Sequence, residues 1–302
     1  MQHGTMVDMN LPRFSTVPDA VALDLDGTLF NDNEEISPRN RRALERCFEM
    51  GIPVILATSR PARVFHGAVP DDLVERCSYT VLNGAVVKGN APLSGDFKCP
   101  IPEETIREIL AISYERHPEI QILTEIEGFE FGAIWNEKAQ KTWLQPPGLD
   151  KLILPIEESI KRQPSKIVIG GTEEQILDLN EVFTRLRGDS LAIVPALKWK
   201  PVLNITNPEA TKSNALRRLL EPAGRSLENT VAFGDDFPDL EMLRDCGYGV
   251  AMGNAFPELK QACRYTTASN TVDGVAIVLE GIPGFSSGDS MQDIEANLKY
   301  CS

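Results

Sequence analysis

Histidine is scarce in this chain. Its three copies in 302 residues, His3, His66 and His117, lie too far apart to suggest a histidine-based metal centre. The six cysteines, Cys47, Cys77, Cys99, Cys246, Cys263 and Cys301, form no Cys-x-x-Cys pair. They read as reduced thiols rather than as a disulfide framework or a zinc site. Cationic residues are in deficit, with 30 Lys and Arg against 44 Asp and Glu and a net charge of −14. That balance argues against nonspecific binding to nucleic acid, which depends on neutralising phosphates. It also means that an anionic ligand needs local positive charge from a metal, a Lys or a helix N-terminus. Taken alone, the charge has a simpler explanation in solubility. No uninterrupted apolar run approaches the roughly 18 residues of a membrane span, and no signal peptide is visible. The expectation is a soluble, cytoplasmic protein with no membrane partner.

What is present suffices for two domains. The chain is 42% apolar and 25% charged, so each half can bury a core of its own. Residues 1–17 are polar and patternless, and read as a loose tail. Residues 21–25 form an apolar run that ends in Asp-Gly-Thr, the pattern of a buried strand running into a loop. Ser37-Pro38 supplies an N-cap and a first-turn proline. Ala43, Leu44, Cys47 and Phe48 make an apolar stripe, and Gly51 stops the helix. Residues 53–57 and 79–82 read as further strands, ending at Thr58-Ser59-Arg60 and Asn83-Gly84. Strands alternating with helices predict a parallel sheet.

The pattern then changes. Residues 102–116 read as a helix, and 120–126 with 129–135 as a hairpin turning at Glu127-Gly128. Residues 136–163 carry no clear pattern. Residues 166–169 read as a strand, Thr172 as the cap of a helix running to about Arg187, and 191–194 and 202–205 as two more strands. Helix–strand–strand thus occurs twice within 89–206, which we take as a separate α+β domain inserted into the first. The alternating pattern resumes with a helix at 210–220, a strand at 230–233 ending in Gly-Asp-Asp, a helix starting at 240 and a strand at 248–252. The fold class is therefore α/β, a Rossmann-like parallel sheet formed by 18–88 and 207–280, with an inserted α+β cap. Residues 281–302 read as a weakly ordered tail, with a helix at 291–300 as an alternative.

Chemistry-bearing residues gather at the predicted strand ends, where ligands bind in parallel sheets. Asp24 and Asp26 follow the first strand two residues apart, so that on a continuing strand both face one side. Gly27 permits a sharp exit. Thr58 ends the second strand, where a hydroxyl and nearby amides can hold phosphate oxygens, although taken alone a Ser/Thr cap at a strand–helix junction is the better explanation. Lys212 sits near a helix N-terminus, which disfavours an ammonium unless an anion is close; a solvated lysine is the plain alternative. Asp235, Asp236 and Asp239 arrive after the strand at 230–233. Asp236 also reads as an N-cap, with Pro238 in the first turn. Five converging acids repel one another without a cation. Mg²⁺ fits, because phosphate and water can complete its shell of hard oxygens.

This ordered set resembles the haloacid dehalogenase superfamily, in particular its Cof-type sugar-phosphatase branch. The matching segments are DLDGTLF at 24–30, TSRP at 58–61, NGA at 83–85, TKSNAL at 211–216, GDDFPDLEML at 234–243, AMGNA at 251–255 and DGVA at 273–276. The resemblance implies a hydrolase core in two parts with a cap between them, acting on a small phosphorylated metabolite. It implies Asp24 as nucleophile and Mg²⁺ ligand, and Asp26 as general acid and then base, with its backbone carbonyl on the metal. Asp235 is implied as a further ligand. Thr58, Ser59 and Lys212 are implied at the phosphoryl oxygens, Lys212 also orienting Asp24. Asp239 would support the metal shell or Lys212, and Asp236 and Asn254 would stand nearby. Two positions depart from the pattern. Ser59 replaces a Gly, adding a Cβ where backbone meets phosphate, and Pro238 replaces an Asn, removing an amide and a backbone donor. A phosphomutase using the same intermediate and a noncatalytic metabolite sensor are the rival readings. Glu125, Glu127, Trp135, Trp143, Lys198 and Trp199 are candidates for the rim of the cap, with core aromatics and solvated charges as the ordinary alternative.

Overall fold

The structure is a computed structural model that describes residues 9–134, 149–197 and 201–285. In chain order its strands are β1 (Ala20–Leu23), β2 (Val54–Ala57), β3 (Ser78–Val81), β4 (Val86–Lys88), β5 (Asp96–Lys98), β6 (Gln121–Ile126), β7 (Glu130–Ile134), β8 (Ile153–Leu154), β9 (Lys166–Gly170), β10 (Ala192–Ala196), β11 (Val202–Thr206), β12 (Thr230–Gly234), β13 (Tyr248–Ala251) and β14 (Tyr265–Thr266). The chain forms two compact units. The first comprises Met1–Leu56, Ala91–Leu93 and Leu220–Ser302, and the second Ala57–Asn90 and Ser94–Leu219.

The first unit is α/β. Its strands run in the order β14-β13-β12-β1-β2, and every pairing among them is parallel. All four residues of β1 are fully buried, as expected of a strand covered on both faces. The helix Pro38–Glu49 starts where the sequence predicts. Ser37 Oγ accepts from Asn40 N–H at 3.1 Å, and the chain leaves through Gly51 at φ +70°. Two expectations are corrected. The N-terminal stretch is not patternless throughout, because Asn10 and Thr266 exchange backbone hydrogen bonds of 3.1 and 3.0 Å. Phe14 also packs on Tyr248, with ring centroids 4.8 Å apart. Nor does the ordered chain stop at residue 280, since Ile282 and Phe285 are buried and Arg46 donates to the carbonyls of Gly284 and Phe285. The alternative helix at 291–300 lies outside the described residues.

The second unit contains a six-stranded sheet in the order β10-β11-β9-β6-β7-β8, antiparallel in every pairing except β7 with β8. The hairpin β6–β7 turns at Glu127 and Gly128, with φ of +49° and +81°. Two consecutive residues in the left-handed region suit the tight turn of a twisted hairpin. Helices Glu103–Arg116 and Glu173–Arg187 cover one face and share its core, which includes Ile109, Ile122, Ile167, Ile169, Leu179 and Ile205. Thr172 caps the second helix through a reciprocal box with Gln175. The patternless stretch holds a short helix, Ile156–Lys161. The same unit carries β3, β4 and β5, joined antiparallel. The sequence reading missed β4, β5, β8 and β14 because strands of two or three residues are too short to show a period. Among the described residues, five cysteines are free thiols. Cys47 is pushed up to about 12 by burial and Cys263 to about 11, mainly by burial. No described helix is long and apolar enough to cross a membrane.

Candidate active site

Strands β1 and β12 are neighbours in register, with Leu23 opposite Phe233, so the residues leaving their C-terminal ends emerge side by side. Asp24 follows β1, and its N–H donates to Phe233 O at 3.1 Å. Asp235 follows β12 directly. Among the described residues, Asp24, Asp235 and Asp239 each offer one carboxylate oxygen, and these oxygens all lie within 4.8 Å of one another. Asp24 and Asp239 are buried, at 6% and 1% exposure. Local chemistry fixes the trio. Asp239 Oδ2 accepts from the N–H groups of Asp235 and Asp236 at 3.1 and 3.2 Å. Asp236 Oδ1 in turn accepts from Phe237 N–H at 2.7 Å, completing a capping box around Pro238. Pro238 takes the N-terminal helical place where its missing donor is not needed.

Asp26 is placed differently from the alternation argument. β1 stops at Leu23, and Leu25–Leu29 form a turn with Gly27 at φ +74°. Strand parity therefore does not govern Asp26, whose residue is exposed while Asp24 is buried. The Asp26 side chain is not one of the three clustered carboxylates. Gly27 is required on two counts. Its φ lies in the left-handed region, and a Cβ there would overlap the Asp235 carboxylate.

Two further residues shape this site and were not singled out from sequence. Thr28 Oγ1 donates to Asp235 Oδ1 at 3.3 Å. Asn270 receives Asn254 Oδ1 on its N–H at 3.0 Å and donates its amide to Phe30 O at 2.9 Å. Asn254 Nδ2 donates to Gly27 O at 2.7 Å. Asn254 therefore ties the turn after β1 to the segment after β14. Thr28 was visible as part of the DGT motif; Asn270 carries no sequence signal of its own.

The remaining predicted residues lie in the second unit. Thr58 is fully buried. Its N–H donates to Thr80 O at 2.9 Å, its carbonyl accepts from Asn83 N–H at 3.1 Å, and its hydroxyl accepts from Arg60 N–H at 3.1 Å. Ser59 is exposed. Lys212 is buried at the first residue of the helix Lys212–Leu220, which Thr211 caps by accepting from Asn214 N–H at 3.1 Å. Asn83-Gly84 links the two segments. Asn83 bonds Thr58, and a Cβ on Gly84, at φ +102°, would collide with the Thr211 backbone. The NGA motif is thus a spacer between the threonine loop and the lysine helix.

The rim candidates fare unevenly. Glu125 is no solvated rim residue. Its two oxygens accept from Arg63 Nη1 and Nη2 at 2.6 and 2.7 Å, with side-chain exposures of 10% for Arg63 and 6% for Glu125. Glu127 is exposed and pairs with Lys98 at 3.1 Å. Trp135, Trp143, Lys198 and Trp199 lie outside the described residues. Lys166, opposite Glu125 in the sheet, has its pKa lowered below the usual lysine range, chiefly by burial and with partial opposition from Glu125.

Three carboxylates with oxygens this close, two of them buried, offer a donor set that suits a hard divalent cation. Without one, the like charges would oppose each other's ionisation.

Comparison with known proteins bears on this site. The family described as haloacid dehalogenase-like hydrolase matches residues 21–279. A Haemophilus influenzae protein named only as a candidate phosphatase is 32% identical over 265 residues, 86% of this chain and 97% of its own length. The 5-amino-6-(5-phospho-D-ribitylamino)uracil phosphatase YitU of Bacillus subtilis is 27% identical over 270 residues, covering 88% of this chain and 97% of that one. A crystal structure from Thermotoga maritima superposes with a TM-score of 0.72 at 26% identity, over 91% of this chain and 99% of that one.

Proposed function

The chain belongs to the haloacid dehalogenase-like hydrolases and is a phosphoric monoester hydrolase of their Cof-type branch; from that premise we propose that it is a Mg²⁺-dependent phosphatase of small metabolites, sugar phosphates among them, working through an aspartyl-phosphate on Asp24. The observation that carries this reading is the convergence of Asp24, Asp235 and Asp239 within 4.8 Å at adjacent strand ends. Asp24 and Asp235 would hold the ion, with the Asp26 carbonyl as a further ligand and Asp239 in support. Bound there, Mg²⁺ supplies positive charge that offsets the carboxylates and the phosphoryl oxygens.

In the first step an Asp24 oxygen attacks phosphorus and the bond from phosphorus to the ester oxygen breaks. Asp26, exposed beside it, gives a proton to the leaving oxygen. In the second step Asp26 takes a proton from water as that water attacks phosphorus, freeing Asp24 and inorganic phosphate. Thr58, Ser59 and Lys212 hold the phosphoryl oxygens, whose charge is spread in the transition state. Lys212 also orients Asp24, while Asp236 and Asn254 keep the loops around the site in place. Residues 18–88 and 207–280 act as the catalytic core, and 89–206 as the cap that selects the leaving group.

The test is phosphate release from a phosphometabolite panel, with Mg²⁺ and after chelation, for the wild type and Asp24→Asn. Turnover that needs Mg²⁺ and disappears in the variant is expected. Equal and negligible release from both proteins would overturn the reading in favour of a noncatalytic sensor. An isomerised sugar phosphate as product, without free phosphate, would point to a mutase.

A further inference from the structure

The second unit carries a buried charge cluster that the proposed chemistry does not use. Along β9, Ile167 and Ile169 belong to the apolar core shared with the helices. Strand alternation therefore turns Lys166 to the opposite face of the sheet. There it stands in register with Glu125 of β6 on one side and Thr206 of β11 on the other. Glu125 is in register with Phe131 of β7, and the Arg63 guanidinium lies 4.6 Å over the Phe131 ring. Arg63 occupies both oxygens of Glu125 and also donates to Gly128 O at 3.2 Å.

Lys166 is left over. It is 8% exposed, and its ammonium makes no hydrogen bond or ion pair with any described residue. Glu125 attracts it at longer range, but the oxygens of Glu125 are already taken by Arg63. Among the described residues two largely buried cations and one anion share this face, an excess of positive charge. Such a charge is costly unless another anion is supplied.

Both edges of this cluster lead by short stretches of chain to the residues proposed to hold phosphate. Arg63 is five residues after Thr58, a reach of at most roughly 18 Å, and Lys212 is six residues after Thr206, at most roughly 22 Å. We propose that Lys166, steadied by the Arg63–Glu125 pair, binds an anionic oxygen group on the leaving group. The preferred substrate is then a phosphomonoester bearing a second anionic group, a carboxylate or another phosphate. This rests on the phosphatase reading and narrows its substrate class. Burial also lowers the lysine pKa, and an anion brought alongside opposes that shift.

The test compares wild type with Lys166→Met, which keeps most of the side-chain length and removes the charge. Melting curves confirm that the variant is folded. Substrates are p-nitrophenyl phosphate, glucose 6-phosphate, 2-phosphoglycolate and fructose 1,6-bisphosphate, with Mg²⁺. The expected result is kcat/KM within about twofold of wild type for the first two. For 2-phosphoglycolate, the bisphosphate or both, we expect at least a tenfold loss, carried by KM; which of them responds identifies the second anion. A uniform change across all four, or a wild type that favours glucose 6-phosphate, overturns the proposal. Calorimetric titration of Asp24→Asn with the two doubly anionic compounds, with and without Lys166→Met, reads binding without turnover. Lys166-dependent binding with no turnover by the wild type would sink only the reaction. Binding indifferent to Lys166 would sink the subsite.

Discussion

Replacing Glu125 by Gln is the most informative single perturbation of this fold. The carboxylate is buried, holds Arg63 through two charge-assisted hydrogen bonds of 2.6 and 2.7 Å, and is the anion opposite Lys166. Removing one member of a buried ion pair costs about 3–5 kcal/mol, because the partner's charge stays out of water. The lower end applies here. The amide oxygen of Gln can keep one bond to Arg63, and Arg63 still donates to Gly128 O at 3.2 Å. About 3 kcal/mol is a factor of roughly 10² in the folding equilibrium of the second unit. With a urea slope of about 2–3 kcal/mol/M, the midpoint moves down by about 1 M. Urea unfolding followed by circular dichroism reads this directly. Adding Lys166→Met to Glu125→Gln should recover at least about 0.5 kcal/mol, since it removes one of the two cations left without the Glu125 charge. A Glu125→Gln midpoint within about 0.3 M of wild type, or a second substitution that only adds to the loss, would refute the picture of a net-positive buried cluster.

Three other outcomes follow from local geometry. Gly27→Ala forces a left-handed φ of +74° on a residue with a Cβ, a strain of about 1–2 kcal/mol, and pushes into the Asp235 carboxylate. We expect Mg²⁺ affinity, measured by calorimetry, to weaken at least about tenfold, equivalent to about 1.4 kcal/mol; an unchanged affinity would count against the proposed metal site. Asp178 is held at about 2 by hydrogen bonds from Arg116 and His117. A depressed carboxyl stabilises the fold above its unfolded value near 3.8 and loses that contribution as pH falls toward 2. The acid limb of a stability–pH curve should therefore flatten in Asp178→Asn, modestly, because the pair is near solvent. Thr172→Ala removes one half of the capping box with Gln175 and should cost about 1 kcal/mol of urea stability; no loss would mean that packing alone sets the start of that helix.

The legible part of the molecule was the part coded by neighbours in sequence. The helix start at Ser37, the cap at Thr172 and the hairpin turn at Glu127-Gly128 all emerged as read, because each depends on residues within four positions. Asp24, Asp235 and Asp239 were found because acids placed just beyond an apolar strand have few ordinary uses. Asp26 shows where local rules failed. Counting two along a strand assumes that the strand continues, and here it gives way to a turn after Leu23. Glu125 failed for the opposite reason. As a charged residue in a strand it read as rim, but Arg63 lies 62 positions away and makes its burial possible.

The sequence by itself determined the family, the class of chemistry and which acids to watch, since motif order and strand-end position are properties of the chain read in one dimension. Only the tertiary structure decided which oxygens approach one another. Thr28 reaches Asp235 across 207 positions, a contact that exists because β1 and β12 pair in parallel register. It likewise decided that Lys166 is left without a hydrogen-bonding partner among the described residues. Charge balance inside a protein is settled by which side chains are taken out of water together, and that depends on packing between distant strands.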